Sequence, residues 1–185
     1  MQTAILCSAK SSWREEGQDW KAKLESALEQ QAVAVHHIGS TAISGLPSKD
    51  IIDLQVEVAS LENRKNIIDA LQAARFVHKP SILEDSLQEG FGLTSKNDWA
   101  KLYFREPVGQ RSAHIHVRVC GAPNALLAVW FRDWLRQDKT ASLRYAQMKL
   151  ALATDCAENL EHYVLRKDVL MHPFLQQAIA WARAR

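Results

Sequence analysis

A chain of 185 residues with 47% hydrophobic content is long and apolar enough to bury one substantial core, which excludes an intrinsically disordered protein. Its 23 basic and 21 acidic residues leave a formal charge of +2, too small for bulk electrostatics to favour a nucleic acid or a membrane surface. Three widely spaced cysteines, Cys7, Cys120 and Cys156, form no CxxC pair, so neither a disulfide framework nor a zinc knuckle is supported and a reducing cytoplasm is the expected setting.

The opening MQTAILCSAK has no basic leader before its short apolar run, and no apolar segment of about 20 residues follows anywhere, so neither export nor a membrane span is expected. From Ser12 to Gln31 the apolar positions Trp13, Trp20, Leu24, Ala27 and Leu28 fall near one helical stripe. Ala32 to Ile38 reads as a strand, and Asp50 to Val58 as a second, with a glycine-containing loop between them. Helical spacing returns over Leu61 to Arg75. Trp99 to Arg105 and Ala113 to Val119 alternate around the turn formers Pro107 and Gly109, which predicts a hairpin. Pro80 to Asp98 reads as loop, with a short strand considered near Phe91. Beyond Gly121 the chain turns helical, with stripes such as Leu127, Trp130, Phe131, Trp134 and Leu135. Asn124 and Thr140 are the expected N-caps there, and His172-Pro173 the expected helix break or restart. These elements predict one α+β unit: a mixed sheet covered by helices on one face, with a helical C-terminal subregion packed onto it.

Chemistry follows from period two. In IIDLQVEV, Ile52, Leu54, Val56 and Val58 share a face, so Asp53, Gln55 and Glu57 share the other. The same split sets His114, His116 and Arg118 against Ile115, Val117 and Val119, and Lys101, Tyr103 and Arg105 against Leu102 and Phe104. If the strands share one sheet, the polar faces form one surface of carboxylates, histidines and cations. The plainer reading is the solvated side of a half-exposed sheet. HIGSTAISGLPSKD contains no GxxxxGK[ST] loop. It does place Gly39-Ser40 shortly before Asp53 on a strand. That spacing suits phosphate held by loop amides and hydroxyl beside a metal held by a strand carboxylate, although the next same-side position is the neutral Gln55.

HIGSTAISGLPSKDIIDLQV, the HIHV strand, FRDWLR and YAQMKLALA, with Tyr163 and Lys167, together resemble the GrpB family of the nucleotidyltransferase fold superfamily. The resemblance runs from about Trp13 to Lys167, and Ser44 and Asp50 stand where that family commonly has proline. It implies a single GrpB-like domain over residues 1–185, with a nucleotidyltransferase-like α/β core at 1–122 and a helical subregion at 123–185. It also implies a domain found fused to dephospho-CoA kinases, with no assigned reaction. Carried over by position, the candidate ligand site comprises Gly39, Ser40, Thr41, Lys49, His114 and His116, with Arg132 and Lys149 reaching in from the helices. Arg105 joins them from the polar sheet face. Asp53 is the candidate catalytic residue and magnesium ligand. The expected ligand is a phosphorylated small molecule or nucleotide. Three functions stay open: a binding protein whose catalysis has degenerated at Gln55, an active magnesium-dependent nucleotidyltransferase using a nucleoside triphosphate, and a purely structural interaction domain.

Overall fold

The computed structural model describes residues 6–91, 94–156 and 159–185. Helix α1, Trp13–Leu28, buries Trp13, Gly17, Trp20, Leu24 and Leu28, whose spacing of three or four puts them on one face. That face covers the apolar side of a five-stranded sheet in the order β1-β2-β5-β4-β3. Strand β1, Ala32–Ile38, pairs antiparallel with the central β2, Ile52–Val58, which pairs parallel with β5, Ala113–Val119. β5 pairs antiparallel with β4, Leu102–Arg105, as the hairpin reading predicts, and β4 with the edge strand β3, Val77–His78. Helix α2, Arg64–Ala73, joins α1 on the apolar face through Ile67 and Leu71. The fold is α+β with a mixed sheet.

Three helices complete the chain: α3, Pro123–Gln137; α4, Lys139–Asp155; and α5, Leu160–Arg183. They gather a second core of Phe131, Trp134, Leu135, Tyr145, Ala146 and Ala178, which takes in Ile43 and Leu46 from the loop after β1. This loop is therefore gripped between sheet and helices.

Several boundaries differ from the sequence reading. α2 starts at Arg64 rather than Leu61, because the Ser60 hydroxyl accepts from the Glu62 amide at 3.0 Å and holds a turn. Asn124 is not a cap: Ala122 flanks α3, Pro123 takes its first turn, and Asn124 is buried with its amide nitrogen donating to the carbonyls of Trp99 and Ala100. Thr140 lies inside α4, whose cap is Asp138, accepting from the Ala141 amide at 2.9 Å. α5 runs through Pro173. The carbonyl that loses its helical donor belongs to Val169, which is 73% exposed and so open to water, while Phe174 and Ala178 hold the next turn against α3 and α4. No strand occurs at Phe91, whose ring stacks on Trp130 at 5.6 Å; Gly92 and Leu93 lie outside the described residues.

Candidate functional site

At the end of β1 the chain turns at Gly39, with φ +68° and ψ −170°, a conformation open essentially to glycine alone. A Cβ built there would stand 2.4 Å from Asp53 Oδ2, so the missing side chain lets the loop lie directly on the β2 carboxylate. Ser40 opens a short 3-10 turn and its Oγ accepts from Lys149 Nζ of α4 at 2.9 Å. Lys149 also donates to the Pro47 carbonyl. Thr41 points the other way: it is buried, 2.9 Å from His37 Nε2, and lines neither cavity described below.

Parallel pairing sets Asp53 opposite His114 and Gln55 opposite His116. Asp53 Oδ1 lies 3.1 Å from His114 Nδ1, and Asp53, His114 and His116 each offer a ligand atom within 4.8 Å of the others. The expectation that these three share one face is met. Tyr103 backs them, its ring 5.6 Å from that of His114 and 5.1 Å from that of His116. Burial opposes ionisation of Asp53, but the His114 hydrogen bond and the fields of His114, His116 and Lys167 outweigh it and hold the carboxyl below its usual range. Burial, reinforced by Arg118 and Lys101, pushes His116 well below the ordinary imidazole range.

The face is not the half-solvated surface of the plainer reading, since Gln55 is fully buried, and Lys101 and Arg118 are also buried. Gln55 donates to the Ala125 carbonyl at 3.1 Å and to Glu57 at 3.0 Å, and accepts from Arg118 at 2.6 Å. Asp85, from the unpatterned segment, pairs with both Lys101 and Arg118, and those cations overcome its burial to hold its carboxyl far below the ordinary range. Arg105 is likewise engaged, by Glu106 at 2.8 Å and the Ala113 carbonyl at 3.1 Å, and lines neither cavity. Arg132 is also outside them: it grips Asp133 at 2.7 and 3.0 Å and the His37 carbonyl at 3.1 Å. The picture of free cations spread over the sheet is thus corrected, because most of them already hold carboxylates.

The unspent positive charge lies at the loop. A recess of about 150 Å³ is lined by Ser40, Lys49, Lys149, Tyr163 and Lys167 together with Asp53 and His114. Lys49 Nζ stands 4.7 Å from the centre of the Tyr163 ring. Burial and the nearby Lys167 push Lys149 down to about 7, and the same two causes lower Lys49. The recess adjoins a cleft of about 540 Å³ that shares Ser40, Asp53, His114 and Lys167 and adds Phe131, Tyr145, Met171 and Leu175. Sequence reasoning left Lys167, Tyr145 and Asp85 out of the site. Lys167 and Tyr145, the first residue of YAQMKLALA, were visible as parts of the family motifs; Asp85 carries no local signal, because only the fold brings it here.

Residues 3–177 match the family described as GrpB protein. The dephospho-CoA kinase of Mycobacterium tuberculosis is 31% identical over 192 residues, covering 98% of this chain and 47% of that relative. UPF0157 protein YqkA of Bacillus subtilis is 27% identical over 174 residues, covering 94% and 46%. The chain therefore spans about half the length of these curated relatives. Among solved structures, conserved protein GrpB from Enterococcus faecalis superposes with a TM-score of 0.77 at 22% identity, over 96% of this chain and 99% of that one. The Cid1 poly(U) polymerase in its Mg 3'-dATP-bound form superposes at 0.51 and 16%, over 83% and 43%, a likeness of fold.

Proposed function

Because the chain belongs to the GrpB family and shares a nucleotidyltransferase-like fold, we propose that it binds a phosphorylated small molecule or nucleotide across the two joined cavities. The observation that carries this reading is the contact of Lys149 with Ser40, at 2.9 Å, in a recess that also holds Lys49 and Lys167. Three lysines share the recess with a single carboxylate, Asp53, an imbalance that a phosphate corrects. The cleft beyond, with Phe131, Tyr145 and Met171, offers apolar and aromatic walls to the organic part of the ligand, and its volume suits a small molecule. We place the working boundary between α/β core and helical subregion at residues 122 and 123, where α3 begins. A cytoplasmic setting accords with three free cysteines, and among the described residues no helix is long and apolar enough to cross a membrane.

The site favours binding over transfer. Two-metal phosphoryl chemistry uses several carboxylates, and magnesium takes oxygen ligands in octahedral array. Here Asp53 supplies the one carboxylate of the Asp53-His114-His116 group, and the Gln55 amide oxygen is taken by Arg118. Magnesium does not fit this donor set. Calorimetric titration with nucleoside mono-, di- and triphosphates, pyrophosphate and coenzyme A precursors tests the reading. Binding of at least one phosphorylated compound is expected, lost in Lys149→Met and Lys167→Met variants that keep the wild-type circular dichroism. Absence of heat and of thermal stabilisation with every compound would sink the reading. Robust metal-dependent nucleotidyl transfer by the wild type, abolished by Asp53→Asn, would replace it with the enzyme reading.

A further inference from the structure

The same donors that exclude magnesium define a different site. We propose that Asp53, His114 and His116 bind one divalent first-row transition ion, of the class to which zinc and cobalt belong, with its remaining coordination positions open to the large cleft. One carboxylate and two imidazoles match the borderline-soft preferences of such ions, and three protein ligands with an open remainder is the arrangement of an accessible metal rather than a closed structural one. Metal bonds of about 2.0–2.2 Å put neighbouring ligand atoms about 3.0–3.5 Å apart. Asp53 Oδ1 and His114 Nδ1 already stand at 3.1 Å. His116 must swing slightly inward to close the 4.8 Å group. Among the described residues its one side-chain hydrogen bond, with Arg118 Nη2 at 3.4 Å from Nδ1, is longer than an ordinary charge-assisted bond.

The surroundings belong to such a site. Gly39 lies against the outer oxygen of Asp53 and fixes that carboxylate's position, and Tyr103 walls the two imidazoles. Two carboxylates of the same sheet face and cleft are committed elsewhere: Glu57 accepts from Gln55 and faces His36 at 3.4 Å, and Asp85 holds Lys101 and Arg118. Asp168 of α5 also lines the cleft but stands outside this three-residue group. The inference rests on these three side chains and not on the anion reading, and it is tested without any phosphate present.

The experiment titrates the chelator-treated full chain with Co²⁺ and follows visible d–d absorption, with equilibrium dialysis for stoichiometry. One Co²⁺ per chain is expected, displaced by equimolar Zn²⁺ but not by about a hundredfold excess of Mg²⁺. His116→Ala and His114→Ala should each weaken Co²⁺ by about tenfold or more while thermal unfolding in chelator stays near the wild-type midpoint. A measurement without any variant guards against misfolding: bound Co²⁺ should shift and broaden the ring resonances of Tyr103, which lies beside both histidines. The proposal falls if no Co²⁺ binds, if Mg²⁺ competes at comparable concentration, or if Co²⁺ binds without perturbing Tyr103.

Discussion

Gly39 and Gln55 show how single positions decide what this surface can do. At Gly39 a left-handed φ coincides with a contact that a Cβ would occupy, so a side chain there meets both backbone strain and the Asp53 carboxylate. Gly39→Ala is expected to cost about 1–3 kcal/mol of stability from backbone strain and to displace Asp53. Metal and anion binding should therefore weaken together, measured by Co²⁺ titration and calorimetry beside a denaturant melt. Unchanged stability with full binding would show that the loop is not seated on Asp53. Gln55 acts by neutrality. Buried between Arg118, Glu57 and the Ala125 carbonyl, it uses both ends of its amide, donating to two acceptors and accepting from one cation. A carboxylate could keep the bond from Arg118 but would face Glu57 and a carbonyl with no proton to offer. The neutrality of position 55, on the same side of β2 as Asp53, is thus fixed by its buried partners.

At the scale of elements, period-two alternation in β2 and β5 made the shared face of Asp53, His114 and His116 legible, because Ile52, Leu54, Val56 and Val58 of one strand and Ala113, Ile115 and Val117 of the other are buried in one continuous apolar core. Their parallel register was not legible, since α2, β3 and β4 intervene between the two strands. The limits lay where tertiary contacts outvote local pattern. Asn124 has the chemistry of a cap, yet a buried position beside the Trp99 and Ala100 carbonyls claims it. β3 is only Val77–His78, too short to show any period. The Pro80 to Asp98 segment looked featureless because what anchors it is tertiary, above all around Asp85, whose side-chain partners Lys101, Arg118 and Asn124 and whose amide's acceptor Trp99 are set by the fold. That anchor carries a prediction. Asp85→Ala leaves Lys101 and Arg118 buried without their carboxylate and should destabilise the fold by about 3–5 kcal/mol. Its pH signature is acidic: the folded carboxyl is held below its ordinary value of 3.8, so its contribution is complete above that value and fades as pH falls further. Denaturant melts should show wild type and Asp85→Ala converging as pH drops below about 4. Parallel curves would locate the anchoring elsewhere.

For the molecule as a whole, the decisive feature is that the helices hold the loop of the sheet by cations: Arg132 on the His37 carbonyl, Arg136 on the Ala42 carbonyl, and Lys149 on Ser40 and the Pro47 carbonyl. The first two lie outside the recess, whereas Lys149 is buried in it and is pushed down to about 7 from its ordinary 10.5. Between those two values the unfolded chain binds one more proton at this residue than the folded chain does, so stability rises with pH across that window. Below about 7 both states are protonated and the folded protein bears the full penalty of a buried ammonium beside Lys167. An anion in the recess reverses the balance, because it stabilises the charged form and lifts the amine back toward its ordinary range. Ligand-free protein should therefore gain stability from about pH 7 to about pH 10, and saturating phosphorylated ligand should flatten that rise. Affinity itself should fall by about tenfold or more between about pH 6 and about pH 9, as binding comes to require proton uptake by Lys149. Lys149→Met should remove the pH dependence of affinity and most of the stability slope, the remainder belonging to Lys49, which burial and Lys167 also lower. Urea melts across this range, with calorimetry in buffers of differing ionisation enthalpy to count the proton taken up, provide the measurement. A stability slope undiminished in Lys149→Met would assign the titration to another group and detach the recess from the clamp between helices and sheet.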